Sequence, residues 1–508
     1  MAKRDEKEEG AEVSLEELNN GATQPKHFST MALLGLSYAI LNTWGASSGS
    51  IYIGLGSGGP VSVVWGTVVG TLGALAIACS LAEMCQVIPT KGAQYHWCFS
   101  LADGRRSQRF LSYMSGWMGT AGWLALTSTA PFLTAQSIQI NIQLFHPTFQ
   151  PGPWFQFVLY MALSVYAALI NAFGVRLMNS LNTAALFWSI IGAVTVTVTL
   201  LACSGAHGTL RDGRWIFTTF INQTGWPDGV AWIMGLLQTQ YSLVGADGAA
   251  HIVDEIANPR RNAPLAMVFS CLIGGSSALV VCIAFLAGTT DATAVVEGLG
   301  GGYLVAIMQS LGSLVGTTFI DFIYLANQLF TTPALVITCS RMVQSFATDG
   351  CLPFAAHLGG VSARFETPLW AVAFNLGWLT VFGLMMFGSP IAITAVQSAS
   401  VVMLQMSYIP SIALMLLHRR DWFSRLGCAQ TPLGQRWGPL VNVIALLYIA
   451  VTTVFFLFPA VYPVTMGSEM NYAVVVLVAS VLLALANWFL IARTRFTEPR
   501  DIADVTGR

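Results

Sequence analysis

Charge is what this chain lacks. Of its 508 residues only 9% are Asp, Glu, Lys or Arg, against about a quarter in soluble domains. Hydrophobic types make up 55%, and mean hydropathy is +0.64. So few charges cannot cover a water-facing surface, which excludes a soluble globular protein and leaves a polytopic membrane protein. The nine cysteines are scattered without paired ligand spacing, so neither a metal site nor a disulfide framework is expected. No Walker A sequence, zinc motif, nucleophile elbow or convergent catalytic pair occurs. An ATP-driven pump, an enzyme and a bound cofactor are therefore not expected. The first 27 residues hold no apolar core of the kind that marks a cleaved secretory signal, so the first span is expected to target the chain. The stretch GLGSGG at 54–59 fits a dinucleotide fingerprint, but it joins two apolar helices instead of a strand and a helix, and is discarded.

What is present is length in apolar runs. A span needs about 20 apolar residues, and twelve windows qualify: roughly 33–54, 61–82, 112–136, 155–174, 181–203, 230–250, 265–288, 317–338, 369–388, 391–416, 438–460 and 472–492. The eighth is the weakest, because Asp321, Asn327 and Gln328 interrupt it. With the N-terminus inside, all but Arg211 and Arg214 of the 23 Lys and Arg fall on the cytosolic side, which puts both chain ends in the cytosol. The expected organisation is a cytosolic tail (1–30), a membrane domain of twelve spans (31–495) and a short cytosolic tail (496–508). The segment 302–315 is amphipathic and too short to span, and reads as an external helix before span eight. The single N-glycosylation acceptor is Asn222, in the predicted external loop between spans five and six.

Asp247 is the most informative residue. It lies in the apolar stretch 230–253, where an ionised carboxylate costs roughly 2.5–3.5 kcal/mol and persists mainly beside a wet cavity or a cation. Gly245 and Gly248 flank it and weaken the helix by about 1 kcal/mol each relative to Ala. Span one carries a comparable weak point, NTWGASSGS at 42–50. Interrupted helices at corresponding positions of two repeats point to a transporter binding site, and unwound backbone frees N–H and C=O groups for a solute. Close helix packing by the same small residues is the alternative. Asp247 either pairs with a substrate cation or titrates as the coupling-proton site, since burial favours a carboxyl's neutral form.

The run GADGAAHIVDEIANPRRNAP (245–264) resembles the sixth-span signature of amino acid–polyamine–organocation permeases. PTKGAQYHW (89–97) is similar to their loop after span two, and SRMVQSFATDGCLP (340–353) to the segment closing span eight. FSTMALLGL (28–36), SGGP (57–60) and TTFINQTGW (218–226) look most like the fungal amino acid/choline branch, the choline and GABA permeases. The resemblance covers nearly all of 28–495. It implies an all-α, twelve-helix membrane fold of the leucine-transporter type: a five-plus-five inverted repeat with discontinuous helices one and six, plus two C-terminal helices. It also implies proton- or gradient-driven uptake at the plasma membrane. By position, residues 45–50 form the first break and 245–248 the second.

The expected substrate-binding set is Thr43, Trp44, Gly45, Ala46, Ser47, Ser48, Gly49, Tyr241, Ser242, Gly245, Ala246 and Asp247, with Asp247 also the proton-coupling candidate. Tyr38, Trp44, Trp123 and Tyr241 are aromatics that could stack on an ammonium group; helix packing or an interfacial belt is the plainer role. Trp123, Tyr324 and Asn327 could reach the cavity. Asp321 suits an external gate or interfacial snorkelling. His251 and Glu83 could relay protons or cap helices at the interface, and Asp254, Glu255, Arg260 and Arg261 read as a solvated cytosolic face able to pair on closure. The expected function is import of a small amine-bearing solute such as an amino acid, GABA or choline, with a proton and the lipid bilayer as partners and no nucleic acid. A non-transporting nutrient sensor on the same scaffold is the alternative.

Overall fold

The computed structural model describes residues 28–298, 301–388, 392–417, 422 and 433–499. The tails before residue 28 and after 499, and the basic residues Arg419, Arg420 and Arg425 used for orientation, lie outside the described residues. Within them the chain is helical, and β structure is confined to two isolated bridges.

The first apolar segment is three helices in place of one: α1 (Thr30–Leu41), α2 (Thr43–Gly49) and α3 (Ile51–Gly56). Next come α4 (Gly59–Val87), α5 (Gln94–Leu101), α6 (Gln108–Phe145), α7 (Pro153–Phe173), α8 (Val175–Ala206) and a short α9 (Gly213–Thr218). The sixth segment is also broken, into α10 (Asp228–Gly235), α11 (Leu237–Leu243) and a 3-10 stretch Ala246–Glu255. The chain continues through α12 (Pro259–Gly288), α13 (Ala292–Glu297), α14 (Gly302–Leu311), α15 (Leu314–Thr348) and α16 (Ala355–Leu358). It ends in α17 (Leu369–Leu384), α18 (Ala392–Leu417), α19 (Gly434–Phe455) and α20 (Ala473–Asn487), the last prolonged by a π turn.

Among the described residues nine helices are long and apolar enough to cross a membrane. The other three predicted spans fall short for separate reasons. The first and sixth are interrupted. The third, α6, is 38 residues long, but it buries a polar face that includes Ser112, Ser115, Thr120, Thr127, Thr129, Thr134 and Ser137. Its hydroxyls satisfy themselves locally, as in Thr127 Oγ1 to Trp123 O at 2.7 Å and Thr134 Oγ1 to Ala130 O at 2.7 Å, so a polar helix can sit in an apolar bundle. The outside of the bundle is apolar: Ile191 and Val194 on α8, Phe319 and Phe322 on α15, and Leu482 and Leu483 on α20 are all exposed. That is the reverse of a water-soluble surface.

The two broken segments run head to tail. Phe28, before α1, bridges Ile256 after the 3-10 stretch, and Ser57, after α3, bridges Asn222 ahead of α10. We call the two ends of the bundle the Phe28 end and the Ser57 end. Midway, Ser47 Oγ donates to Ser242 Oγ at 2.8 Å, and Gln238 Nε2 donates to Ser47 O at 3.1 Å. α12 packs tightly against this pair. A Cβ on Gly274 would stand 2.3 Å from Thr43 Oγ1, and one on Gly275 2.3 Å from Thr71 Cγ2. Small residues thus let helices approach where lipid offers no hydrophobic drive between them. α15 crosses the whole bundle, and Pro333 inside it frees Leu329 O, which accepts from Tyr166 OH at 3.3 Å.

The first segment breaks twice, at Asn42, upstream of the expected 45–50, and at Ser50, inside it. Asn42 takes the left-handed conformation (φ 43°, ψ 41°), a region Asn tolerates better than most residues, whereas Thr43–Gly49 is helical and Ser50 kinks out of it. The Asn42 amide holds the kink, donating to Gln328 Oε1 and accepting from Asn327 Nδ2. Asn42→Ala should therefore lower stability by about 1–3 kcal/mol, because two buried amides lose their partner. A thermal-shift measurement on the detergent-solubilised protein checks this. The second break falls where expected: Val244 is extended and Gly245 has φ 97°.

Candidate functional site

Asp247 opens the 3-10 stretch and is fully buried. The left-handed Gly245 before it turns the chain so that the carboxylate meets side chains from three other elements. Tyr408 OH, from α18, donates to Oδ1 at 2.6 Å. Oδ2 receives Trp123 Nε1 of α6 at 3.2 Å and Gln94 Nε2 of α5, and lies 3.1 Å from His251 Nε2. The acid is thus caged by protein groups and does not face open water. Gly245→Ala would combine a disfavoured φ with a Cβ 3.1 Å from the Trp123 ring, a strain of about 1–3 kcal/mol.

The bonding of His251 fixes where a proton must be. Its Nδ1 lies 2.8 Å from Lys91 O. A carbonyl only accepts, so Nδ1 carries hydrogen. Nε2 then faces Asp247 Oδ2 either with a second hydrogen, as imidazolium against carboxylate, or bare, accepting from a protonated Asp247. Both cases place one proton between the two residues. Without it, two lone pairs would oppose each other 3.1 Å apart in a dry site.

Beside this cage lies a small cavity, about 20 Å³ of space for water centres, roughly enough for one water. It is lined by Asn42 and Ala46 from the first break, Thr129 of α6, Tyr241 and Val244 from the second, and Gln328 of α15. Tyr241 OH donates to Thr129 Oγ1 at 2.8 Å. Of the residues singled out from sequence, Ala46 and Tyr241 line this cavity directly. Thr43 abuts α12, and Asn42's side chain covers Gly45. Ser48 donates to Trp44 O, and Gly49 lies under Tyr324 OH. Ser242 is bonded to Ser47, Ala246 packs with Leu41 and Cys271, and Tyr38 bonds Ser277. Trp44 turns to α8, donating to Ser189 Oγ at 2.8 Å. Tyr324 and Asn327 reach the cavity at one remove, through Gln328 and Asn42. Gln94, Tyr408 and Thr129 were not singled out. Gln94 sits in the conspicuous loop after span two; nothing in the sequence marks Tyr408.

The Phe28 end is closed. There, Phe28 N donates to Glu255 O at 3.2 Å, and Glu255 Oε1 takes Arg341 Nε at 2.6 Å, a buried ion pair. Lys91 pairs with Asp254 at 3.2 Å, while Tyr95 OH and His96 Nε2 reach Asp349 Oδ2 at 2.8 and 2.9 Å. Glu255 is therefore not part of a solvated face, although Arg261 is exposed. Glu83 is buried away from the cage, accepting from Leu433 N. At the Ser57 end a wider recess of about 320 Å³ is bounded by Tyr52, Met234, Leu237, Phe456 and Tyr472. The Asn222 amide there donates to Trp226 O at 2.7 Å and Asp228 Oδ1 at 2.9 Å; a glycan on that nitrogen would leave it one hydrogen and so one of the two bonds.

The family model described as amino acid permease matches residues 28–480. The chain belongs to this family. The permease is 31% identical over 471 residues to a choline transporter of Saccharomyces cerevisiae, covering 91% of this chain and 81% of the relative. It is 30% identical to a putative amino acid/polyamine transporter of Macrophomina phaseolina (87% and 96% covered) and 26% identical to the amino-acid permease BAT1 of Arabidopsis thaliana (97% and 96%). Its fold matches that of MhsT, solved in complex with L-phenylalanine, at TM-score 0.58 and 14% identity, over 85% of this permease and all of MhsT. The permease is thus a multi-pass membrane transporter of the amino acid–polyamine–organocation superfamily, with the leucine-transporter-type fold and a small-molecule substrate. Families of this kind are carriers, not enzymes.

Proposed function

We propose that this permease imports a small amine-bearing solute, an amino acid, GABA or choline, across the plasma membrane by proton-coupled alternating access. It does so with twelve crossings and both termini in the cytosol. The observation that supports the coupling is the 3.1 Å approach of His251 Nε2 to Asp247 Oδ2, which, with His251 Nδ1 turned to Lys91 O, calls for one proton between the two residues. The names of the relatives support the solute class. The cavity between the two breaks supports the place of binding: Thr129, Tyr241, Gln328 and Asn42 offer hydroxyls and amides there, and Val244 on its wall stands three residues before Asp247.

The closed form described here has lost the room a solute needs. Opening the Ser57 end would enlarge the cavity from the outer recess and let solute and proton enter. Opening the Phe28 end would part Phe28 from Glu255 and Glu255 from Arg341, bringing water to His251. The proton then leaves, and the bare carboxylate no longer holds His251.

Radiolabelled uptake in a permease-deficient yeast tests this, screening choline, GABA, basic amino acids and cyclic imino acids with and without a protonophore. Accumulation of one of them that collapses with the protonophore is the expected result. Failure of every solute despite correct surface delivery would favour the sensor.

A further inference from the structure

Asp321 is a second fully buried carboxylate, seven residues into α15 near the Ser57 end. Ser137 Oγ of α6 lies 3.0 and 2.9 Å from its two oxygens. Tyr303 OH of α14 donates to Oδ1, and Asn141 Nδ2 of α6 to Oδ2. Among the described residues the other titratable group facing this cluster is Tyr324, one turn along α15, its ring tilted against Tyr303 with centroids 4.6 Å apart. No Lys, Arg or His among the described residues pairs with Asp321. An anion sealed in a membrane bundle without a cation is costly, so the question is how this site is neutralised.

We propose that Asp321 is a second protonation site of the carrier, on the opposite side of the central cavity from Asp247. The inference rests on the proton-coupled reading above. Three observations carry it. Donors of three kinds already occupy both carboxylate oxygens, so a larger cation could bind only by displacing them. Every one of those partners is reversible: two hydroxyls and an amide can accept as well as donate, unlike Lys or Arg. The Asn141 amide oxygen is buried without a partner, so turning the amide presents an acceptor for a carboxylic proton. The Asp247 cage repeats this device, since Gln94 Oε1 is also buried and unpartnered.

Placement fits the role. A Cβ on Gly248, next to Asp247, would lie 3.5 Å from Thr338 Cγ2. At about 1.5 Å per residue, Asp321 and Thr338 stand roughly 25 Å apart along α15. Between them runs a polar thread: Tyr303 lies tilted against Tyr324, whose OH accepts from Gln328 Nε2 at 3.0 Å, and Gln328 in turn holds Asn42 at the first break. One acid thus attends each gate. A proton taken from water at the Ser57 end converts the Asp321 carboxylate to the acid, and its return to water restores the carboxylate.

The test uses the full chain in lipid nanodiscs and proteoliposomes. Infrared difference spectra across a pH titration should show the C=O stretch of protonated buried carboxyls. Asp321→Asn should remove one component that Asp247→Asn leaves in place. In proteoliposomes Asp321→Asn should lower the proton-to-solute ratio by one and shift the pH profile of uptake. An unchanged spectrum and ratio in Asp321→Asn would overturn the proposal. If that variant fails to fold, Tyr303→Phe decides: loss of one donor should move the titration midpoint of the Asp321 component, and an unmoved midpoint overturns it. Should the wild-type carrier show no proton coupling, the transport reading fails, while the infrared titration still reports whether Asp321 takes a proton.

Discussion

Asp247→Asn should abolish concentrative uptake, leaving a steady-state inside-to-outside solute ratio near one, while solute exchange across the membrane persists. The substitution is nearly isosteric. With its Nδ2 in the place of Oδ2 the new amide can donate to a bare His251 Nε2 while its oxygen still accepts from Tyr408, at the cost of the acceptor for Trp123 Nε1 and Gln94 Nε2. It therefore imitates the proton-loaded cage and removes its means of unloading. A carrier held in that form can shuttle solute both ways but draws no work from the proton gradient. Uptake and counterflow measured side by side in proteoliposomes separate the two. Preserved, pH-dependent accumulation by the variant would remove both roles considered for Asp247. His251→Gln should behave similarly, because its amide can also bond Lys91 O and Asp247.

The second large effect is expected at the Phe28 end. Arg341 and Glu255 meet through one contact, and the remaining Arg341 Nη1 and Glu255 Oε2 are buried without partners. Removing one member of a buried pair costs about 3–5 kcal/mol, which at about 1.4 kcal/mol per tenfold shifts the open-to-closed ratio by two to three orders of magnitude. Arg341→Met should therefore bias the carrier toward opening at this end. A cysteine placed at Ile256, which bridges Phe28 in the closed form, should react with a membrane-impermeant thiol reagent at least tenfold faster in Arg341→Met. The double variant Arg341→Met, Glu255→Leu should return to slow labelling, because an apolar pair of similar volume often equals a buried ion pair. Equal labelling in all three would mean that this pair does not hold the end shut.

Much of this architecture was legible in the sequence because lipid leaves little freedom: each apolar run of sufficient length becomes a helix. The second break was legible too, since Gly245 supplies a backbone angle that few residues adopt. In the first segment the weak run 42–50 was legible and Ser50 breaks the helix inside the expected 45–50, but the kink at Asn42 falls three residues before that range. The feature that matters there is tertiary, the Asn42 side chain tied to Asn327 and Gln328 from α15. The same limit applies to the cage. Asp247 announces itself as a charge in an apolar run, yet Tyr408, 161 positions away, is an unremarkable tyrosine until α18 brings it to 2.6 Å. Trp44 shows the converse: it adjoins the break but its indole is spoken for by Ser189. Side-chain direction on a short helix between two kinks cannot be read from one-dimensional spacing.

Gln94, Tyr95 and His96 are consecutive, yet they fasten two different segments, Gln94 to Asp247 and its neighbours to Asp349 at the end of α15. Residues 92–99 are buried while the Phe28 end is shut. An antibody fragment raised against this stretch would find its epitope only after both attachments had let go. Such a binder would trap one conformer from the equilibrium in proportion to its preference for it, and its on-rate would report how often the gate opens unaided.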